Sequence, residues 1–152
     1  MDLSEIGHFS SLDVVDAWSK GMAEFGQPDP ISYPAWAEKH FYLSRESSYG
    51  ESRWKAWPFQ LAIMACMAND DIEEVDVEKS ARVGYTKMFL GLICYNAHHR
   101  RRNQAVWQPT DDDRDEFVKT ELEPALRDVE VMRDVFPDYL ARSKNNTMRQ
   151  KI

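Results

Sequence analysis

The residues best suited to chemistry lie in one run: Lys79, Ser80, Ala81, Arg82, Val83, Gly84, Tyr85, Thr86 and Lys87. A glycine-bearing loop that opens a helix presents backbone N–H groups to anionic oxygens. A nearby ammonium neutralises those oxygens, and a hydroxyl in the first helical turn reaches Mg²⁺. The run holds each part but not the usual spacing GxxxxGK(S/T). With Gly84 as the second glycine, Lys79 stands at the first glycine position, Tyr85 where lysine belongs, and Thr86 at the hydroxyl position. Lys79 or Arg82 would have to reach back to the β- and γ-phosphates. An ordinary strand-to-helix turn that carries basic residues accounts for the same letters.

Such a loop needs a strand before it and a helix after it. Glu74-Val75-Asp76-Val77 alternates apolar and acidic residues as a short strand does. Residues 84–99 are helical in pattern and end in His98-His99-Arg100-Arg101-Arg102, cations at the negative end of the helix dipole. Ala105-Val106-Trp107 reads as a second strand, closed by Pro109. Thr110 with Asp113 starts a further helix in capping-box fashion. Asp111, Asp112 and Asp113 lie at its positive end, and Pro124 divides it. Strand, helix, strand, helix over 74–136 predicts a short parallel sheet with a helical crossover.

Upstream, Pro58 suits the first turn of a helix that runs to Met67 and stops near Asn69-Asp70. Its apolar residues nearly surround it, which predicts burial on most sides. Residues 33–42 read as a short helix with Trp36 and Phe41 inward, and 44–53 as a loop. Residues 12–25 place Leu12, Val15, Trp18, Met22 and Phe25 at helical spacing before the break Gly26-Gln27-Pro28-Asp29-Pro30. This predicts an N-terminal helical segment, 1–27, and a main domain, 28–152. Trp18, Met22 and Phe25 could dock a partner or pack on their own domain.

The 152 residues suffice for one compact domain. Net charge is −7, so a nucleic-acid partner would require a local basic patch. Residues 79–102 carry six bases and no acid, whereas 1–30 carry six acids and one base. Arg100, Arg101 and Arg102 could contact DNA or simply complement the helix end in solvent. No run approaches the roughly 18 apolar residues of a membrane span. The acidic start MDLSEIGHF lacks the marks of a signal peptide. Cys66 and Cys94, far apart in apolar surroundings, read as buried thiols of a reducing compartment.

Three ordered runs, WPFQLAIM (57–64), VEKSARVGYTKMFLG (77–91) and RNQAVWQPTDDD (102–113), resemble the large terminase subunit of lambda-like tailed phages. The resemblance implies an ATPase part of the DNA-packaging motor, with the lysine moved to the front of the phosphate loop. It thus implies an α/β, helix-rich, incomplete P-loop NTPase domain with an N-terminal helical extension. It further implies that residues 79–87 bind ATP, with Lys79 the displaced lysine, Arg82 a second cation and Thr86 the Mg²⁺ hydroxyl. Trp57, Pro58, Phe59 and Gln60 resemble the upstream adenine motif, an amide for the base edge beside an aromatic face. Without the family, Phe59 would read as a core aromatic and Gln60 as a surface amide. Partners implied are the small terminase subunit for the N-terminal segment, and phage DNA and the procapsid portal for the full-length family. The implied location is the host bacterial cytoplasm, with no membrane.

A motor of this class also needs an apolar strand ending in a carboxylate that positions Mg²⁺, with an acid beside it to activate water. None follows residues 105–107, and no nuclease carboxylates are present. The expectation is an N-terminal piece, such as a prophage-type reading frame, that cradles a nucleotide but neither turns over ATP nor cuts DNA. A non-catalytic module that binds the small subunit, or an inactive remnant, is the alternative.

Overall fold

The computed structural model describes residues 15–19, 21, 30–45, 52–137, 147 and 149. The chain divides into two compact units, 1–30 and 31–152. In the first, residues 15–19 and 21 are helical, and Val15 and Trp18 are exposed. Leu12, Met22 and Phe25, the rest of the expected apolar stripe, lie outside the described residues.

The second unit is helix-rich. Helix α1 (Tyr33–His40) starts with Pro34 in its first turn and buries Tyr33, Trp36 and Ala37. Phe41 follows it and is also buried. Strands β1 (Tyr42–Leu43) and β2 (Ser52–Arg53) form a two-stranded antiparallel sheet in the register Tyr42↔Arg53 and Leu43↔Ser52. The N–H of Trp54 donates to Phe41 O at 2.9 Å and extends the pairing by one bond. Strand β2 falls in the stretch 44–53 that the sequence reads as a loop, and Tyr42 of β1 at the end of the helix expected over 33–42, which stops at His40.

Helix α2 (Pro58–Met67) opens on Pro58, as the missing N–H permits. Helix α3 (Tyr85–Tyr95) opens on Gly84 and passes into a π-helical turn, Asn96–Arg100. Helix α4 (Asp111–Phe117) is capped by the Thr110 hydroxyl, which accepts from the Asp113 N–H at 3.1 Å and donates to the Asp113 carboxylate. A second π turn, Val118–Leu122, leads into α5 (Glu123–Asp128), and α6 (Met132–Val135) closes the described fold. Pro124 explains the second π turn. It has no N–H for the carbonyl four residues back and its ring crowds that carbonyl, so the helix widens. The Glu123 N–H then bonds Val118 O, five residues back.

The parallel sheet expected over residues 74–136 is not formed. Residues 72–80 and 101–108 form neither helix nor paired strand among the described residues, and Val75, Val106 and Trp107 are exposed. Alternation of side chains creates a strand only where a neighbouring edge supplies hydrogen bonds, and parallel pairs need both faces covered. The surround of α2 is also corrected. Only Gln60 and Met64 are buried on it, while Phe59 and Leu61 are exposed. Cys66 on the same helix is exposed, contrary to the pair of buried thiols expected, whereas Cys94 is buried and its thiol is pushed up to about 12 by that burial.

The core joins α1, the sheet, α2 and α3 to α5 and α6 through Trp36, Tyr33, Phe41, Met64, Met88, Leu90, Cys94, Val129 and Met132. α1 and α3 cross at Gly91, where a Cβ would stand 2.8 Å from the Tyr33 hydroxyl and 3.5 Å from the Phe41 ring. That hydroxyl is not free to yield, because it is buried and donates to Met88 O. Gly91→Ala, normally favourable inside a helix, should therefore destabilise the fold by about 1–3 kcal/mol through overpacking. Urea unfolding of Gly91→Ala, alone and combined with Tyr33→Phe, checks this: the second change should recover part of the loss.

Candidate nucleotide-binding site

The loop between residues 78 and 85 turns on two left-handed residues, Arg82 with φ 63° and Gly84 with φ 78°. Gly84 tolerates this conformation because it lacks a Cβ, and it forms the N-cap of α3. A Cβ there would also approach Gln60 Nε2 to 3.0 Å. No side chain caps α3 and no acid lies in its first turn. The contrast with α4 is informative, since there Thr110 and three aspartates satisfy the same positive end. The N-terminus of α3 thus keeps its partial positive charge, with Lys79, Arg82 and Lys87 close in sequence.

Gln60 joins the two segments of the expected site. Its Oε1 accepts from the Trp57 N–H at 2.8 Å, and its Nε2 donates to Val83 O at 2.9 Å. It is 2% exposed, whereas Phe59 is 53% and Trp57 67% exposed. The sequence-only reading of Phe59 as core and Gln60 as surface is therefore reversed. Pro58 at the first helical position with Gln60 at the third was the available signal: an amide there turns back onto the N-cap N–H. In this arrangement Gln60 braces the loop 78–85 against the start of α2. The exposed aromatics beside it are the groups free to stack on a base.

The cations differ in their engagement. Lys79 is exposed, with its ammonium 5.8 Å from the Tyr85 ring centre. Tyr85 stacks on Phe89 at 6.3 Å, and Phe89 meets Phe117 at 6.5 Å, so an aromatic ladder runs from the loop to α4. Arg82 and Thr86 are exposed, as are Ser80 and Ala81, while Val83 is half-buried. Lys87 is instead ion-paired with Glu121. Trp54 lies near the same point, its ring 3.9 Å from where a Gly84 Cβ would stand, and its Nε1 is buried without a hydrogen-bond partner among the described residues.

Arg100 and Arg102 are committed elsewhere. Arg102 grips Asp70 with two bonds, at 2.6 and 2.7 Å, and Arg100 reaches the same carboxylate at 2.8 Å and Ala68 O. Hydrogen bonding from Arg102 leads the effects that hold Asp70 down to about 2. Two of the three adjacent arginines thus tie the end of α2 to the segment after α3, and of the three only Arg101 makes no ion pair among the described residues.

A carrier for a nucleoside triphosphate is consistent with these residues. The uncapped helix start, the strained loop and exposed Lys79 and Arg82 suit phosphates, and Thr86 can supply the one protein oxygen that a phosphate-bound Mg²⁺ needs. No cluster of three His, Cys, Asp or Glu suited to a metal ion occurs among the described residues. No helix among them is long and apolar enough to cross a membrane.

Residues 46–152 match the family described as phage terminase large subunit gpA, ATPase domain. The terminase large subunit of Escherichia phage lambda is 44% identical over 131 residues, covering 86% of this chain and 20% of that protein. The terminase large subunit of Enterobacteria phage P21 is 44% identical over 141 residues, covering 93% of this chain and 22% of that protein. The chain therefore spans about a fifth of the length of these curated relatives. No solved structure matches.

Proposed function

Since this chain belongs to the ATPase-domain family of the phage terminase large subunit gpA, we propose that residues 79–87 hold the phosphates of ATP as part of a DNA-packaging motor. The observation that carries this is the start of α3: left-handed Gly84, no capping side chain and no acid in the first turn. Bound there, ATP with Mg²⁺ would supply the phosphoanhydride that such a motor spends. The backbone N–H groups at the α3 N-terminus bind phosphate oxygens, and Lys79 leaves the Tyr85 ring to neutralise them. Arg82 adds a second cation, and Thr86 presents its hydroxyl. Phe59 and Trp57 offer stacking faces for adenine, while Gln60 fixes the distance between them and the loop.

The 152-residue polypeptide binds in this reading without turning over, because no strand-end carboxylate faces the loop among the described residues. The P-loop arrangement, the host cytoplasm as location, and small-subunit docking through Trp18, Met22 and Phe25 in segment 1–27 belong to the same proposal, as do DNA and portal contacts of a longer chain.

Tryptophan fluorescence tests it, since the Trp54 ring lies beside Gly84 and Trp57 is tied to Val83 through Gln60. Titration with MgATP should give a saturable change, and Lys79→Ala should weaken it about tenfold or more through loss of a charge-assisted phosphate contact. A titration curve identical in Lys79→Ala and the parent chain would refute the role of Lys79.

A further inference from the structure

Lys87 stands one residue past Thr86 in the first turn of α3, and its ammonium donates to Glu121 Oε2, 34 residues away in the chain. Both side chains are largely withdrawn from water, at 15% and 21% exposure. Water screens this pair less than the Arg114–Asp111 and Arg127–Asp128 pairs, each of which has one side chain more than half exposed. Glu121 lies on the π turn Val118–Leu122, in a register set by Pro124. The Phe89–Phe117 contact holds the preceding residues against α3. A carboxylate is thus placed on a cation of the very loop that would receive phosphates.

We infer that Glu121 is an internal anion that occupies Lys87 in the nucleotide-free chain and yields it to a triphosphate. This rests on the phosphate-binding reading of residues 79–87. A carboxylate and a phosphate oxygen compete for the same ammonium, so the intramolecular pair opposes binding until the triphosphate displaces it. Displacement frees Glu121 on the π turn from α3, and the signal that phosphates have arrived passes into α4 and α5. The device gives the loop a lower affinity than its own cations would allow. It also couples occupancy to a segment that does not itself touch the nucleotide.

The test is MgATP binding to the full 152-residue chain, followed by calorimetry or tryptophan fluorescence, in the parent, Glu121→Gln, Lys87→Met and the double variant. Glu121→Gln keeps the shape and a hydrogen bond but removes the competing charge, and should tighten ATP binding about fivefold. That gain should vanish in the presence of Lys87→Met, and adenosine, which has no phosphates, should show no gain. A second readout does not depend on affinity: acetylation of Lys87 by acetic anhydride, read by mass spectrometry, should rise in Glu121→Gln and fall when ATP is added. ATP binding that is unchanged or tighter by no more than error in Glu121→Gln, or weakened there, while Lys79→Ala still weakens it about tenfold or more, overturns the latch and leaves the phosphate-binding reading standing. Absence of ATP binding in every variant overturns both.

Discussion

Replacing Gln60 by alanine should destabilise the second unit by about 2–4 kcal/mol and also remove most ATP binding. The expected stability loss comes from two partly buried groups left without partners, the Trp57 N–H and Val83 O, each of which costs about 1–3 kcal/mol to the extent that it cannot reach water. Partial rescue by solvent at the exposed Trp57 keeps the total below the upper sum. The binding loss has a different origin. Val83 O is the last carbonyl before Gly84, so its bond from Gln60 Nε2 at 2.9 Å holds the turn that aims the α3 N-terminus. Gln60→Glu separates the two effects: its carboxylate still accepts from the Trp57 N–H but opposes Val83 O and adds negative charge beside the loop. It should fold better than Gln60→Ala yet bind ATP no better. Urea unfolding with and without saturating MgATP measures both quantities. Equal ATP affinity in Gln60→Ala and the parent chain would sink the bracing role.

The sequence announces helix starts well and sheets poorly, and the reason is local chemistry. Pro58, Thr110 with Asp113, and Gly84 each act within their own turn, so the starts of α2, α4 and α3 are visible without any knowledge of the fold. Trp36 and Phe41 likewise read correctly as inward. Pairing of strands depends on what lies beside them, and the alternation at residues 74–77 carried no such information. Residues 42–43 and 52–53 pair although they alternate over too few positions to show a pattern. The misjudged surround of α2 has a similar cause: hydrophobicity sets a tendency to bury, but Phe59 and Leu61 face away from the elements that α2 touches. The site was legible as letters, through the basic run and Gly84. The commitments of Gln60 to Val83, Lys87 to Glu121 and Arg102 to Asp70 were not, because each spans more than twenty residues.

Stability should fall as the pH drops below the ordinary histidine range, well before carboxylates begin to protonate. His98 Nδ1 accepts from Trp36 Nε1 at 3.1 Å, which requires the neutral imidazole with its proton on Nε2. Burial, with His99 and Arg101 adding to it, pushes the His98 pKa down against the opposing pull of Asp134. His40 stands 5.8 Å away, ring to ring, and is pushed down by burial and by Lys39, His98 and Arg53 against the pull of Glu130. His99 is lowered by burial and by Arg100. With folded values below the unfolded value near 6.5, the unfolded chain binds more protons as pH falls. The stabilisation is therefore complete above about pH 6.5 and is lost as pH falls through the folded values. Asp70, held down to about 2, and Asp128, also lowered, lose their contribution only in more acidic solution, so the two windows are separate. A thermal melt series should show a flat Tm above about pH 7 and a steep decline from about 6.5 toward 5. His98→Gln, whose amide oxygen can still accept from Trp36, should flatten that decline at the cost of a lower plateau. A Tm that is level from pH 7 to 5 in the parent chain would show that the Trp36–His98 bond does not govern the core.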